Sequence, residues 1–281
     1  MTRSARKTRV GLTIERYREI EPAIILGLVR LLGLEFVEVT RSVFDDLEGV
    51  RAKVGGLECG FHLPIVCEDG WDFSTRSAAG EIEALTSRIN RHRKELHLIY
   101  AICHPPEPGA DGQLDPEAVQ FLLENLRRLE LPIYIENIPS LAMGRYLEFF
   151  RQAQGTLGDQ VAGMCYDGPH YLLAGVDPLQ ALSQLDGEIG CVHLSDCRGK
   201  EDDHFPFGKG GAMPIEAILR DLRSSRFRGV INLEIRPTDF QDIFPTIRSY
   251  LAVLRVFRPG KYVAARVRVA LLYPLLKRVL S

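Results

Sequence analysis

Short apolar runs alternate with longer segments of helical periodicity along most of the chain. Runs of this length, with little polar alternation, are typical of parallel strands buried on both faces. Between them, apolar residues recur at helical spacing, as at Ile82, Leu85 and Ile89. The pattern predicts eight β/α units, whose strands are expected at residues 9–13, 35–40, 57–62, 97–103, 133–137, 162–167, 190–195 and 230–235.

Eight such units in 281 residues predict an α/β fold, a single (β/α)8 TIM barrel, which commonly uses about 250 residues. An open doubly wound sheet would more often carry a glycine-rich phosphate turn, and no G-x-G-x-x-G sequence follows Thr13. We expect the barrel to occupy residues 8–257, with its last helix running from Phe240 to about Arg255. Residues 258–281 are expected to form a basic and apolar C-terminal appendage.

Polar side chains stand where the predicted strands end. The C-terminal ends of all strands share one face of a barrel, so these side chains should meet at one mouth. A single carboxylate there could cap a helix, and a single histidine could be a packing residue. Nine groups from six strands favour a shared function instead, and they are His62, His104, Glu136, Asp167, His170, His193, Asp202, His204 and Glu234.

This mixture of imidazoles and carboxylates indicates metal chemistry. Neutral imidazole and carboxylate are ligands for Zn²⁺ and Mn²⁺, and clustered carboxylates repel one another until a cation compensates them. The sequence therefore predicts a site for divalent cations, Zn²⁺ (two or three ions) or Mn²⁺, at the C-terminal face of the barrel.

The charge distribution argues against a broad nucleic-acid surface. The formal net charge is −2, but residues 255–281 hold seven of the 35 Lys and Arg residues and none of the 37 Asp and Glu residues. The rest of the chain therefore carries a net charge of −9. Such an acidic body suits bound cations and a small substrate better than a polyphosphate backbone, although local patches could still bind nucleic acid.

Cysteine spacing and hydropathy point to the cytoplasm. The six cysteines form no C-x-x-C pair, and several lie within apolar runs, where a reduced thiol packs as a small hydrophobe. No stretch approaches the roughly 20 apolar residues of a membrane span, and the N-terminal segment lacks the apolar core of a signal peptide.

The ordered motifs resemble the xylose-isomerase-like superfamily of TIM barrels, which contains sugar phosphate isomerases and epimerases as well as endonuclease IV (type 2 AP endonucleases). The resemblance covers about residues 10–255 and rests on H-x-P, H-P, E-N, D-x-x-H, H-L-S-D, D-x-H before G-x-G, and a terminal L-E. It implies a shared metal on Glu136, Asp167, His193 and Glu234. Members similar to endonuclease IV hold three zinc ions with five further ligands, which match His62, His104, His170, Asp202 and His204.

Two reaction classes follow from this resemblance. The first is hydrolysis of a phosphodiester at a polynuclear site bridged by Glu136, on a small nucleotide-like substrate; the superfamily includes a cobamide-remodelling phosphodiesterase. The second is a one-metal sugar or sugar-phosphate isomerase or epimerase, in which Glu136 and Glu234 move a proton and His170 binds the substrate. A third alternative is an AP endonuclease acting in DNA repair, but His62-Leu63-Pro64-Ile65 lacks the tyrosine that such enzymes place after this motif.

Candidate substrate contacts lie in the loops of the same face. Glycines in Phe207-Gly208-Lys209-Gly210-Gly211 would let backbone N–H groups approach an anion, and the loop after strand 7 is a common phosphate position in barrels. Trp71 follows the His62 strand and could line the mouth. The candidates for binding substrate or its phosphate are Arg198, Lys200, Lys209, Gly208, Gly210, Arg236 and Trp71.

The appendage has apolar residues around nearly the whole helical wheel, and Pro274 is expected to interrupt it. This distribution makes it a poor interfacial helix. It favours packing on the outside of the barrel, or on a second subunit in a homo-oligomer, over attachment to a membrane surface.

Overall fold

The computed structural model describes residues 7–17, 20–237 and 239–280 and contains a closed barrel of eight parallel strands in sequential order. Each observed strand lies within two residues of its predicted bounds, which confirms the (β/α)8 fold. The ladder closes where the first and last strands pair, with Arg9 opposite Val230. The strands, numbered β1 to β8, are Arg9–Ile14, Phe36–Val39, Glu58–His62, Leu98–Cys103, Ile133–Glu136, Val161–Asp167, Ile189–Leu194 and Val230–Leu233.

Helices cover the outside of this barrel. Several begin with a capping Asp followed by Pro, as at Asp115 and Asp177, whose carboxylates accept backbone N–H groups of the first turn. The α-helices, numbered α1 to α11, are Pro22–Leu32, Leu47–Val54, Val66–Asp69, Ala79–His92, Pro116–Arg127, Met143–Leu157, Gly168–Leu173, Pro178–Gln184, Ile215–Ser224, Ile243–Phe257 and Pro259–Leu280. Short 3-10 helices cover Arg41–Phe44, Arg76–Ala78, Gly158–Gln160 and Phe240–Asp242.

Two apolar cores pack against the two faces of the sheet. The larger core lies between the strands and the helices, and a smaller one fills the barrel interior with Phe36, Tyr100, Ile102, Cys165, Cys191 and Val230. Glycine makes room for its aromatic rings: a Cβ on Gly60 would lie 2.4 Å from the Tyr100 ring, and one on Gly11 would lie 2.3 Å from Phe36. Apolar side chains therefore fill the lower part of the barrel interior, and the polar mouth lies above them.

The C-terminal appendage is a helix that packs against the barrel. α11 contacts α10 and α1, and Tyr262, Ala265, Val269 and Leu272 face the core. Pro274 lies inside α11 and does not end it, contrary to the expected interruption, although its position removes one helical donor. Ser281, the last residue assigned to the appendage, lies outside the described residues.

All six cysteines are free thiols, and five are buried; Cys67 is exposed. None of the helices in the described parts of the chain combines the length and apolar character needed to cross a membrane.

Replacement of Ala265 by Asp should destabilise the protein, because Ala265 is buried between α11 and the barrel. A carboxylate without a partner there is expected to cost about 3 kcal/mol, which corresponds to a fall in Tm of roughly 6 °C or more. Thermal unfolding followed by circular dichroism measures this shift. Ala264→Asp is the matched control, because Ala264 is the exposed neighbour in the same helix; equal shifts for the two variants would contradict the packing of α11.

Candidate metal centre

The nine predicted ligands meet at the C-terminal ends of β3 to β8. Two groups of potential ligand residues share Glu136, and within each group the ligand atoms lie within 4.8 Å of one another. One contains His62, Glu136, His193 and Glu234, and the other contains Glu136, Asp167 and His170. The barrel therefore brings side chains from distant parts of the sequence into one centre.

Glu136 is at the middle of this centre and faces two sets of histidines. Its Oε2 atom lies 3.3 Å from His62 Nε2 and 3.4 Å from His104 Nε2. Its Oε1 atom lies 3.2 Å from His193 Nδ1, and the same nitrogen lies 3.0 Å from Glu234 Oε2. One carboxylate thus presents Oε2 to a first cluster, His62 and His104, and Oε1 to a second cluster, His193 and Glu234; His62 also lies within ligand distance of the second cluster.

A third cluster surrounds Asp202. Its Oδ2 atom lies 2.9 Å from His170 Nε2 and 3.1 Å from His204 Nε2. The backbone of His204 has a φ of 49°, a conformation in which a residue with a side chain is strained. The loop therefore holds His204 in an unfavourable backbone state while its ring faces Asp202.

Backbone carbonyls orient three of the histidine rings. The Nδ1 atoms of His62, His170 and His204 lie 2.8, 2.7 and 3.1 Å from the carbonyl oxygens of Leu63, Asn137 and Glu234. An N–H donated to a carbonyl leaves the other ring nitrogen with a free lone pair. All three rings therefore direct Nε2 into the centre, which is the arrangement expected for metal ligands.

Several buried atoms of the centre lack a hydrogen-bond partner among the described residues. The ion-pair distances given above are short, but these atoms do not point at one another with hydrogen-bond geometry. The ligand atoms of a tetrahedral zinc site are separated by a similar distance, about 3.3 Å, because they all point at one ion. The residues therefore fit a divalent cation, and the atoms concerned are His104 Nε2, Glu136 Oε1, His193 Nδ1, Asp202 Oδ1 and Glu234 Oε2.

Burial disfavours the charged forms of these side chains, but the attraction between the carboxylates and the imidazoles outweighs that effect. Burial would raise the pKa of Glu136, but the positive charges of His193 and His104 hold that pKa well below its usual range. Burial would lower the pKa of His62, but the hydrogen bond and charge of Glu136 raise it to about 9. Protons on the imidazoles therefore neutralise the carboxylates when no other cation is bound.

Asp167 is the exception among the carboxylates. Burial raises its pKa to about 7, and the neighbouring carboxylates of Glu136 and Asp202 add to this effect. Asp167 Oδ1 accepts the backbone N–H of His170 at 2.7 Å, so this residue caps α7 as well as facing the centre. The first turn of α7 thereby fixes His170 relative to Asp167.

Glu38 is a functional candidate that the sequence motifs did not identify. This fully buried residue of β2 places Oε1 3.1 Å from His193 Nε2, and Tyr100 donates its hydroxyl to Oε2 at 2.8 Å. A carboxylate on the outer nitrogen of a ligand histidine fixes its tautomer and raises its basicity. The available signal was a charge in the middle of the apolar strand Phe36–Val39.

The glycine loop binds an anion that belongs to the chain itself. Gly208 and Gly211 donate their N–H groups to Asp196 Oδ2, both at 2.8 Å. A Cβ on Gly210 would lie 2.3 Å from the backbone of Cys197, so Gly210 permits close packing. The expectation that these N–H groups are free for a substrate phosphate is therefore wrong for Gly208, and Gly210 has a packing explanation.

The basic residues of this loop that were predicted to contact the substrate either pair with carboxylates or lie away from the mouth. Lys209 Nζ lies 2.7 Å from both carboxylate oxygens of Asp242, so the expectation of a free phosphate ligand is corrected here too. Arg198 is exposed and pairs with Asp203 at 2.5 Å. Lys200 is exposed and is absent from the lining of the mouth cavity described next.

A cavity of about 280 Å³ lies beside the centre, and its lining includes His62 and Glu234. Arg236 is the predicted substrate contact that lines it, and this arginine also pairs with Glu15, Glu68 and Glu234. Trp71 packs half-buried against the larger core and does not line this cavity. Two further arginines, Arg16 and Arg41, line it and were not identified from the sequence.

Comparisons with known proteins agree with this fold. The profile of the xylose isomerase-like TIM barrel family matches residues 57–258, which is more than half of the chain. The chain therefore belongs to this family, as its motifs predicted. A curated relative, the uncharacterized protein y4fM of Sinorhizobium fredii, is 25% identical over 103 residues, or 36% of this chain. That match spans 32% of the relative, about a third of its length.

Solved structures of several enzymes share the fold. The 3-keto-D-glucoside 4-epimerase of E. coli has a TM-score of 0.63 at 18% identity, covering 89% of this chain and 99% of that one. An AP endonuclease of family 2 from Brucella melitensis has a TM-score of 0.62 at 15% identity, covering 83% and 94%. The IOLI protein, whose structure contains a zinc atom, has a TM-score of 0.65 at 15% identity, covering 89% and 99%. At these identities the likeness establishes the fold alone.

Substitution of Glu38 by Gln should weaken metal binding. The variant keeps the shape of the side chain but removes the negative charge next to His193 Nε2, so His193 becomes a weaker ligand. We expect the metal dissociation constant to rise roughly tenfold or more. Competition with a chromophoric chelator measures the change.

Tyr100→Phe is the control for this experiment, because it removes a hydrogen bond to Glu38 and leaves the Glu38 carboxylate beside His193 and Asn232. It should change metal affinity much less than Glu38→Gln. Equal affinity of the wild-type protein and Glu38→Gln would show that Glu38 does not support a ligand.

Metal binding should release protons and strengthen as the pH rises. The pKa of His62 is about 9 in the metal-free protein and that of Asp167 is about 7, so a cation must displace protons at neutral pH. Affinity should rise up to about tenfold per pH unit for each displaced proton. Calorimetry in buffers of different ionisation enthalpy counts the released protons; an affinity that is constant from about pH 6 to about pH 9 would contradict the assignment.

Proposed function

We propose that the protein is a divalent-metal-dependent hydrolase that cleaves a phosphodiester in a small nucleotide-like substrate. One observation carries the proposal: Glu136 presents one oxygen to His62 and His104 and the other to His193. A one-metal isomerase or epimerase requires only four ligands. A one-metal enzyme would give no common role to the imidazoles of the other two clusters.

Zn²⁺ is the cofactor best matched to these ligands, with Mn²⁺ as the alternative. The first ion would be held by His62, His104 and Glu136. A second would be held by Glu136, Asp167, His193 and Glu234, and a third by His170, Asp202 and His204. When bound, such ions supply a nucleophile at neutral pH and stabilise the charge that develops on a phosphoryl group.

The other residues of the mouth have roles in binding and orientation. Arg236 lines the cavity next to Glu234 and is the best-placed donor for a phosphate oxygen. The backbone carbonyls of Leu63, Asn137 and Glu234 keep the histidine rings from turning. His170, whose Nδ1 lies against the Asn137 carbonyl, would direct Nε2 towards the third ion beside Asp202.

The charge and size of the cavity support a small substrate over DNA. Its lining holds five carboxylates, from Glu15, Asp45, Glu68, Asp69 and Glu234, against three arginines. A surface of this sign repels a polyphosphate backbone. A volume of about 280 Å³ is at the small end of ligand pockets.

Substitution of Asp202 by Asn should remove one metal ion and most of the hydrolytic activity. Asp202 is the shared partner of His170 and His204, so its loss dismantles the third cluster and spares the other two. Elemental analysis after gel filtration without chelator should give two or three ions per wild-type chain and about one fewer in the variant. Hydrolysis of bis(p-nitrophenyl) phosphate and of nucleotide-loop corrinoids should fall by about 100-fold.

Asp203→Asn is the matched control, because Asp203 is the adjacent acid and pairs with Arg198 instead. It should keep both metal content and activity. Glu136→Gln should lose metal and activity together, because two clusters share this residue. One ion per chain, unchanged in Asp202→Asn and accompanied by ketose epimerisation, would replace this proposal with a sugar epimerase.

A further inference from the structure

The last helix presents an apolar face to solvent. Val263, Val267 and Leu271 recur at a spacing of four residues, and their exposed fractions are 62%, 55% and 76%. The opposite face of α11 packs against the barrel, so the helix is apolar on both sides. A helix that is apolar all round is normally covered on all sides. Something in addition to the barrel is therefore expected to contact this outer face.

The neighbouring helix α1 also exposes apolar side chains. Ile24, Leu28 and Leu31 lie on one face of α1 and are 58%, 42% and 56% exposed. α1 contacts α11, and Gly33 at the end of α1 lies against the Arg268 side chain. We call these six exposed residues of the two helices the apolar stripe. A grouped set of exposed apolar residues is typical of an interaction surface.

A basic cavity adjoins the stripe at the start of α11. It has a volume of about 860 Å³, and its described lining contains six Lys or Arg residues and no Asp or Glu. Ala264, which lines the cavity, lies between Val263 and Val267 in α11. The six cations, which we call the basic cluster, are Lys7, Arg223, Arg226, Arg228, Arg258 and Lys261.

Much of the positive charge of the basic cluster is not neutralised by the protein. Arg258 and Lys261 share Glu35 as a partner. Arg223, Arg226 and Arg228 form no ion pair with a carboxylate in the described ranges of the chain. α11 itself contains basic residues and no acidic residue. Like charges placed around one cavity repel each other unless an anion is present.

We infer that the apolar stripe and the basic cluster together attach the protein to an anionic lipid surface. The stripe would enter the boundary between headgroups and acyl chains, and the basic cluster would contact the phosphates of the headgroups. This occupant satisfies both observations at once. A soluble phosphate compound would neutralise the cations but leave the stripe in water.

A second copy of the chain fits this surface less well. In a symmetric dimer both copies present this same surface, and the described lining of the basic cavity contains no Asp or Glu that could pair with the arginines of the partner. An anionic bilayer supplies the opposite charge and an apolar interior. The sequence alone predicted a poor interfacial helix, but the barrel buries one apolar face of α11, so only the exposed face, together with α1, would lie on the membrane.

The position of the surface is compatible with catalysis. Thr8 and Arg228, which line the basic cavity, precede β1 and β8, so the cavity lies at the N-terminal end of the barrel. The candidate metal centre is at the other end of the strands. Attachment through this surface therefore leaves the mouth of the barrel accessible.

Co-flotation of the full-length protein with vesicles tests the inference. The protein should float with phosphatidylcholine vesicles that contain phosphatidylglycerol and not with pure phosphatidylcholine, and added salt should weaken the binding. Arg223→Gln combined with Arg228→Gln should lower the partition coefficient by about 25-fold, since each cation near an anionic surface contributes about fivefold. Val267→Ser combined with Leu271→Ser should lower it by roughly tenfold.

Arg91→Gln combined with Lys94→Gln is the matched control. These exposed cations lie between β3 and β4, at the same end of the barrel as the basic cavity but on the side opposite the β8–β1 contact, and the double variant changes the charge by the same amount. It should bind vesicles as the wild-type protein does. The Tm of every variant checks that it is folded.

Three results would overturn the inference. The first is no enrichment of the wild-type protein on anionic vesicles. The second is an equal loss of binding in the control pair, which would mean unspecific charge attraction. The third is a dimer in sedimentation equilibrium that is lost in Val267→Ser/Leu271→Ser without any vesicle binding, because the stripe would then be covered by a second copy.

Discussion

Buried negative charge must be compensated at the mouth of this barrel, and the arrangement of the surrounding residues follows from that requirement. Glu38, Glu136, Asp167 and Glu234 are each no more than 5% exposed. An isolated carboxylate at such a depth would be protonated or would unfold the structure. His62 and His193 supply the compensation through their raised pKa values, and divalent cations would supply it with a stronger field. The same charge balance thus serves folding and cation binding.

The two-residue period of side chains along each strand places these groups in the mouth of the barrel. Side chains alternate between the two faces of a strand, so Glu38 follows Phe36 and Asn232 precedes Glu234 on the same face. Apolar and aromatic residues fill the lower part of the interior and polar residues the upper part. Glu38 joins the two levels, because it accepts from Tyr100 in the interior core and contacts His193 in the candidate centre.

The sequence predicted the barrel and the residues that gather at its mouth, because both depend on strand order and strand ends. It did not predict which groups satisfy one another across the fold. The glycines after β7 were expected to approach a substrate phosphate, but Gly208 and Gly211 donate to the Asp196 side chain of the same chain. Lys209 was expected to be free and pairs with Asp242, 33 residues away.

Helix continuity across Pro274 was also missed, because a local rule cannot represent the packing that holds α11 against the barrel. Glu38 could have been identified from the sequence. A charged residue within a strand that is apolar on both faces requires a buried partner, and that signal was present in Phe36–Val39. Its partner, His193, is 155 residues away, so the contact itself required the fold.

The contact between the first and last strands of the barrel affects how the protein is made. β1 pairs with β8, Arg258 donates to the Thr8 carbonyl, and α11 contacts α1. The ribosome makes β1 before β8, so one edge of β1 stays without its partner while the strands between them are synthesised. An unpaired strand edge can pair with other chains. Until β8 is made, this edge of β1 is a surface through which nascent chains can associate and to which a chaperone can bind.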